Sequence, residues 1–211
     1  MNTIFTSPKG GNCTTITAAA HALLSAADGG NTLLIDFGGD LPAALGLPEP
    51  TGPGINDWLA EDRAADGEAL VLLGTAVTST LLLVHRGSQF IEGQPRWDAL
   101  ADAMRTISAH VVVDAGAGFL PDQLRAAADK VLMVTRPCYL SLRRATALPK
   151  PTGVCVIREA DRALTPTDVA HVLGVPVVAE VPHSAGISRA VDAGLLPSRV
   201  HQLFGPALAL H

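Results

Sequence analysis

The residues with the most chemistry to offer are Lys9, Gly10, Gly11, Asn12, Cys13, Thr14 and Thr15, set between the apolar run Thr3–Thr6 and an alanine-rich stretch opening at Thr15. A strand that ends in a Lys-Gly-Gly turn and runs into a helix turns backbone N–H groups and a helix N-terminus toward one point, the arrangement that cradles nucleotide phosphates. Lys9 adds a positive charge and the two threonines add hydroxyls of the kind that hold Mg²⁺. Asp114, which follows Val111-Val112-Val113, is placed as an aspartate at a strand end is when it holds Mg²⁺ through water, and Gly118 lets a backbone N–H approach a terminal phosphate.

An ordinary phosphate loop reads G-x-x-x-x-G-K-[ST]. Laid on it without gaps, Pro8 takes the first glycine, Cys13 the second, Thr14 the lysine and Thr15 the Mg²⁺ hydroxyl, so only the last is kept. The lost lysine removes a charge whose contacts to phosphate are worth roughly 1.5–3 kcal/mol each. Cys13 puts a Cβ where glycine allows close approach and positive φ, and Pro8 removes one N–H from the loop entrance.

The stretch Thr6-Ser7-Pro8-Lys9-Gly10-Gly11-Asn12-Cys13-Thr14-Thr15 resembles, in register, the T-S-G-K-G-G-V-G-K-T-T loop of the ParA/MinD family of partition and positioning ATPases, the deviant Walker A motif. Asp114-Ala115-Gly116-Ala117-Gly118 is similar to that family's D-x-x-A-G stretch, and Val134 to Arg144 to its segment after the next strand. Val181-Pro182 with the stretch Ile187–Gly194 resembles its i-P-x-d-x-x-v-x-x-A-x-x-x-G stretch. The resemblance implies ATP and Mg²⁺ as cofactors and a homodimer in which Lys9 crosses to the partner's ATP. It implies phosphate contacts from Lys9, Gly10, Gly11, Asn12, Cys13, Thr14, Thr15 and Gly118, a base bordered by Arg158 and Pro182, and Mg²⁺ near Thr15, Asp36 and Asp114. In the family's D-x-D turn the second aspartate orients water; here Asp36-Phe37-Gly38 has glycine there, and Asp40 stands two residues on, as a substitute or as the N-cap before Pro42. The catalytic set carried over is therefore Lys9, Asp40 and Asp114, with slow or absent hydrolysis.

These residues need a scaffold that brings three loops together. Apolar strand signals at Thr3–Thr6, Thr32–Asp36, Leu81–His85, His110–Asp114, Lys130–Thr135, Gly153–Ile157 and Val175–Glu180 alternate with helical signals at Thr15–Ala27, Ile55–Glu61, Trp97–Ser108, Pro121–Ala128, Leu140–Ala147, Thr165–Leu173 and Ile187–Gly194. Near-continuous apolar strands separated by helices predict an α/β fold, a doubly wound and mostly parallel sheet with helices on both faces, in one domain spanning 1–211. Ligands of such sheets bind beyond the carboxyl ends of the strands, where Pro8–Thr15, Phe37–Leu41 and Ala115–Phe119 emerge. The Pro/Gly-rich segment Leu47–Gly54 reads as a surface loop, and the apolar tail from Pro197, with Val200, Leu203, Phe204, Leu208 and Leu210, as packing onto the domain.

Net charge −5, with 15 Lys plus Arg against 20 Asp plus Glu, argues against a phosphate-backbone binder and leaves DNA contact without support. No apolar run approaches the roughly 18 residues of a membrane span, and the N-terminus lacks a basic leader, so a cytoplasmic protein is expected. Cys13, Cys138 and Cys155 form no C-x-x-C, and the seven histidines, without ligand spacing, read as surface or capping residues. Two functions compete: an ATP-switched dimer that positions a cargo, and a nucleotide-free scaffold that binds a partner protein or cargo adaptor. A Rossmann enzyme is weaker, since no G-x-G-x-x-G follows the first strand.

Overall fold

The computed structural model describes residues 1–60, 66–88, 95–118, 120–205 and 207–208; Glu61, Phe119, Leu210 and His211, which the sequence reading included, lie outside them. The elements are β1 (Asn2–Ser7), α1 (Thr14–Ala27), β2 (Thr32–Asp36), α2 (Leu41–Ala44), α3 (Ile55–Ala60), α4 (Gly67–Leu72), β3 (Thr75–Ala76), β4 (Leu81–Val84), α5 (Trp97–Thr106) and β5 (His110–Ala117). They continue with α6 (Asp122–Ala127), β6 (Lys130–Thr135), α7 (Tyr139–Ala145), β7 (Gly153–Arg158), α8 (Pro166–Leu173), β8 (Val177–Pro182), α9 (Ala185–Asp192) and α10 (Leu196–Phe204).

The strands form one sheet in the order β3-β4-β2-β5-β1-β6-β7-β8, parallel except for the short β3, which runs antiparallel to β4. The apolar strands alternate side chains between two cores. Phe5, Leu34, Val112, Leu132 and Val134 face α1, α2, α9 and α10, whereas Ile4, Leu33, Ile35, Val111 and Val113 face α3, α4, α5 and α6. Helices therefore cover both faces, as expected of this α/β pattern. Ala18, Ala19, Ala20 and Ala22 are fully buried on α1, and their small side chains let this helix lie close over the sheet behind the Lys-Gly-Gly turn.

The seven expected strands are present with ends shifted by at most two residues, except that β5 runs three residues past Asp114; β3, α4 and α10 went unread, and α2 is the short helix expected behind an Asp40 N-cap. The short β3 and α4 carry too few residues for a period to show. In α10 the helix opens at Leu196-Pro197, and Val200 and Phe204 at i and i+4, together with Leu208 beyond its end, are buried in the α1 core.

One histidine expectation fails. His21 is 4% exposed on α1 and packs its ring between Phe5 and His110 at centroid distances of 5.4 and 5.3 Å. Burial pushes it down to about 4, so it stays neutral and behaves as a core aromatic. His85, also buried, does cap a turn, its Nδ1 accepting the Gly87 N–H at 3.0 Å.

Candidate phosphate-binding site

The loop from Pro8 to Cys13 leaves the end of β1 and enters α1. Gly11 has φ 78°, which glycine supplies freely, and Cys13 occupies the left-handed region at φ 61°, ψ 29°. The geometry of the missing glycine is thus kept although the residue is not. Cys13 serves as the N-cap of α1 without a side-chain cap, and no acidic residue lies in the first turn. The leading N–H groups of α1 are left for an anion.

The loop is braced from behind. Asn12 is 1% exposed; its Nδ2 donates to the Lys9 carbonyl (3.2 Å), while its Oδ1 accepts from the Arg136 N–H and the Ser141 hydroxyl (3.3 Å each). Asn12 therefore joins the loop to the β6–α7 connection, a structural role beside the phosphate contact the resemblance assigned it. Ser7 Oγ donates to the Lys9 carbonyl at 2.8 Å. Lys9 points outward, its Nζ donating to Gly10 O at 2.9 Å, so its charge is not committed to another residue's carboxylate. Burial raises the Cys138 thiol, but the Ser141 hydroxyl and N–H, with the charges of Lys9 and Arg162, hold it below its ordinary value.

Asp36, the last residue of β2, and Asp114, within the neighbouring β5, are register partners, both fully buried. Asp36 accepts the N–H groups of Gly39 (2.7 Å) and Leu41 (3.0 Å), folding the loop after β2 around its carboxylate. Burial nevertheless pushes it up to about 6, and the charge of Asp114 adds to the rise. Asp114 Oδ1 accepts the Gly116 N–H at 3.0 Å, and Oδ2 is buried with no hydrogen-bond partner among the described residues. Burial raises its carboxyl as well; the nearby Thr15 hydroxyl and the Gly116 N–H pull it back, and the charge of Asp40 works with burial.

The structure thus brings Thr15, Asp36, Asp40 and Asp114 to one crevice beside the loop. Asp40 is exposed at the N-cap of α2 and makes no capping bond. Gly38 lies between the carboxylates: a Cβ there would stand 3.6 Å from Asp36 Oδ1 and 3.7 Å from Asp114 Oδ2. The Gly118 N–H donates to Ser7 O at 3.1 Å, because β5 runs on past Asp114 and pairs Ala117 with Ser7 beyond a bulge. Arg158 and Pro182 are register partners at the ends of β7 and β8, two and three strands away from β1 on the β6 side.

The residues fit a Mg²⁺-bound polyphosphate. An uncapped helix start offers anion donors, and a buried carboxylate oxygen without a partner beside a threonine hydroxyl offers a cation ligand. Among the described residues no group of three or more His, Cys, Asp or Glu could hold a metal. Arg136 went unread as a site residue: its guanidinium lies beside Cys13, with Nη2 3.8 Å from the sulfur, and pairs with Glu159 at 3.1 Å. It is 124 residues from Asn12, and only the parallel pairing of β1 with β6 brings it there.

No protein-family model and no characterised protein sequence matches the chain. Solved structures do. A ParA family ATPase from Chlorobium tepidum superposes with a TM-score of 0.73 at 21% identity, covering 97% of this chain and 94% of that one. MinD in a MinC:MinD cell division complex from Aquifex aeolicus gives 0.75 at 19%, covering 100% and 98%. The septum site-determining protein MinD from Pyrococcus horikoshii, complexed with Mg-ADP, gives 0.76 at 18%, covering 96% and 90%.

Proposed function

We propose that this chain, which carries the ParA/MinD fold, is one domain over residues 1–211 and acts in the cytoplasm as a nucleotide-dependent dimer switch that positions or partitions a cargo, with slow or absent ATP hydrolysis. The observation that carries the reading is the uncapped start of α1, behind the Lys9-Gly10-Gly11 turn, facing the buried and unpartnered Asp114 Oδ2. The similarity to MinD complexed with Mg-ADP supports the same assignment.

In this reading the N–H groups of Gly10, Gly11, Asn12, Cys13, Thr14 and Thr15 hold the phosphates, the Thr15 hydroxyl and Asp114 hold the Mg²⁺ side, and Asp36 shapes the loop next to it. Arg158 and Pro182 border the base. Bound Mg²⁺ supplies charge neutralisation at the phosphates. Lys9, tied among the described residues only to its own turn, reaches across to a second copy. Tyr139 and Leu140, 75% and 50% exposed where α7 leaves the site, support a surface covered by that copy or by a partner protein. Gly38 leaves no side chain to orient water between Asp36 and Asp114, and exposed Asp40 is the remaining acid that could, so hydrolysis is slow.

A second reading rests on Gly118, whose N–H is already taken by Ser7 O. A loop closed on itself in this way, without the lysine at Thr14, suits a nucleotide-free scaffold that works by binding a partner protein.

Oligomeric state and retained nucleotide, measured with and without Mg-ATP beside Lys9→Ala, separate the two. An ATP-dependent dimer lost in the variant supports the switch; one assembly in every condition, with no nucleotide bound, leaves the scaffold.

A further inference from the structure

We propose that Arg136 is the cation of the phosphate loop, standing in for the lysine missing at Thr14. The inference rests on the phosphate-binding part of the function proposed above.

The structure places two cations on this loop. Lys9 is on its outer side and, among the described residues, bonds only to its own turn. Arg136, at the end of β6, is fixed from behind by the bond from its N–H to Asn12 Oδ1. Its guanidinium reaches Cys13, the residue immediately before Thr14, with Nη2 3.8 Å from Sγ. Nη1 pairs with Glu159 Oε1 at 3.1 Å, and Nε is buried without a partner among the described residues. A planar fork with five donors, one of them buried and unsatisfied, is well suited to bind phosphate oxygens in pairs. Nη2, on a side chain still 27% exposed, stands beside the uncapped start of α1, where an arriving anion can accept from it.

Glu159 tempers this charge. It is held below the usual carboxylate range: burial opposes the shift, but the hydrogen bond from Arg162 and the charges of Arg136 and Arg162 outweigh it. The ion pair therefore keeps Arg136 at the loop in the empty state and competes with a phosphate for the guanidinium.

The test uses two probes, inorganic tripolyphosphate and Mg-ATP, titrated calorimetrically into the full chain, with unliganded melting temperatures as a check on folding. Arg136→Gln is expected to weaken both by about 10- to 100-fold, as loss of one charge-assisted contact would. Arg136→Lys keeps most of the binding, and Glu159→Gln tightens it by freeing the guanidinium. Adding Thr14→Lys to Arg136→Gln restores it, an outcome that a merely structural arginine would not give. Tripolyphosphate binding that is unchanged in Arg136→Gln, a double variant that fails to recover, or a wild-type chain that binds neither probe would overturn the proposal. Arg136-dependent binding of tripolyphosphate without binding of Mg-ATP sustains Arg136 as the anion's cation and removes the nucleotide switch instead.

Discussion

Asp36 and Asp114 sit opposite each other as register partners on β2 and β5, and the Phe37 N–H donates to the Asp114 carbonyl at 3.0 Å. Their carboxyls flank the position a Gly38 side chain would take. Two acids this close in a dry site raise each other's proton affinity unless a cation comes between them. Backbone N–H groups from Gly39, Leu41 and Gly116 steady the pair without neutralising it. Two buried carboxylates held this near each other carry a cost that a cation between them would relieve.

That cost sets a pH dependence. Asp36 rises from 3.8 to about 6, so its share of stability is full below pH 3.8 and is lost as pH climbs through 6, on the order of 3 kcal/mol for a shift of this size. His21 and His110 fall from 6.5 to about 4, mainly through burial, so their share is full above pH 6.5 and is lost as pH falls through 4. Between pH 4 and 6 the trends oppose, two histidines against one aspartate, so the urea midpoint of the wild-type chain should rise with pH. Replacing His21 by Leu leaves His110 against Asp36, and most of that rise should disappear. A variant profile as steep as the wild type's would exclude His21 as a titrating group.

Gly38 is where a third carboxylate can be added. Its φ is not in the left-handed region, and a Cβ would meet both acids at ordinary contact distance, so Gly38→Asp fits sterically. It should destabilise the metal-free chain at pH 7.5 by on the order of 1–3 kcal/mol through like-charge crowding. Millimolar Mg²⁺ should recover most of that loss. Denaturant midpoints with and without Mg²⁺ give the answer, and a variant indifferent to Mg²⁺ would show that the crevice does not gather a cation.

The strands, the phosphate turn and the aspartates after the apolar runs of β2 and β5 could be read in the sequence because each is written locally, in apolar runs, in a Lys-Gly-Gly turn, in an acid after three valines. Arg136 could not, since its relation to Cys13 exists only through the β1–β6 pairing. Asn12 looked like a loop polar residue and is a buried strut. His21 looked like a surface histidine because one polar residue in an alanine-rich helix carries no period that marks its face. The Gly118 N–H, expected to be open to phosphate, is spent on Ser7 O because β5 extends beyond its apolar run.

Cys13 tests whether the loop tolerates its missing glycine. A non-glycine residue at φ 61° carries strain of about 1–2 kcal/mol. Cys13→Gly relieves that strain but adds freedom to the unfolded chain, and it should change the unfolding free energy by less than about 1 kcal/mol. Cys13→Val, branched at Cβ, should cost a further 1–3 kcal/mol or so. Equal stability of the valine and wild-type chains would mean that the junction does not hold the left-handed conformation in solution.

Asn12 decides whether the phosphate loop and the β6–α7 connection move as one body. Removing its side chain by Asn12→Ala strands the Arg136 N–H and the Ser141 hydroxyl at once, in a place where Asn12 is buried, and leaves the Lys9 carbonyl to the Ser7 hydroxyl. An unpaired buried group costs about 1–3 kcal/mol, and partial entry of water keeps the sum near 2–4 kcal/mol. Ser141→Ala removes a single bond of the three and should cost about 1 kcal/mol. The two changes share a partner, so their effects should fall short of additive by more than about 0.5 kcal/mol. Hydrogen exchange at the Arg136 amide should quicken in Asn12→Ala and hold its rate in Ser141→Ala, because only the first loses its acceptor. Strict additivity, or an Arg136 amide that exchanges at the wild-type rate without Asn12, would mean that the two loops are independent and that Arg136 is held at Cys13 by Glu159 alone.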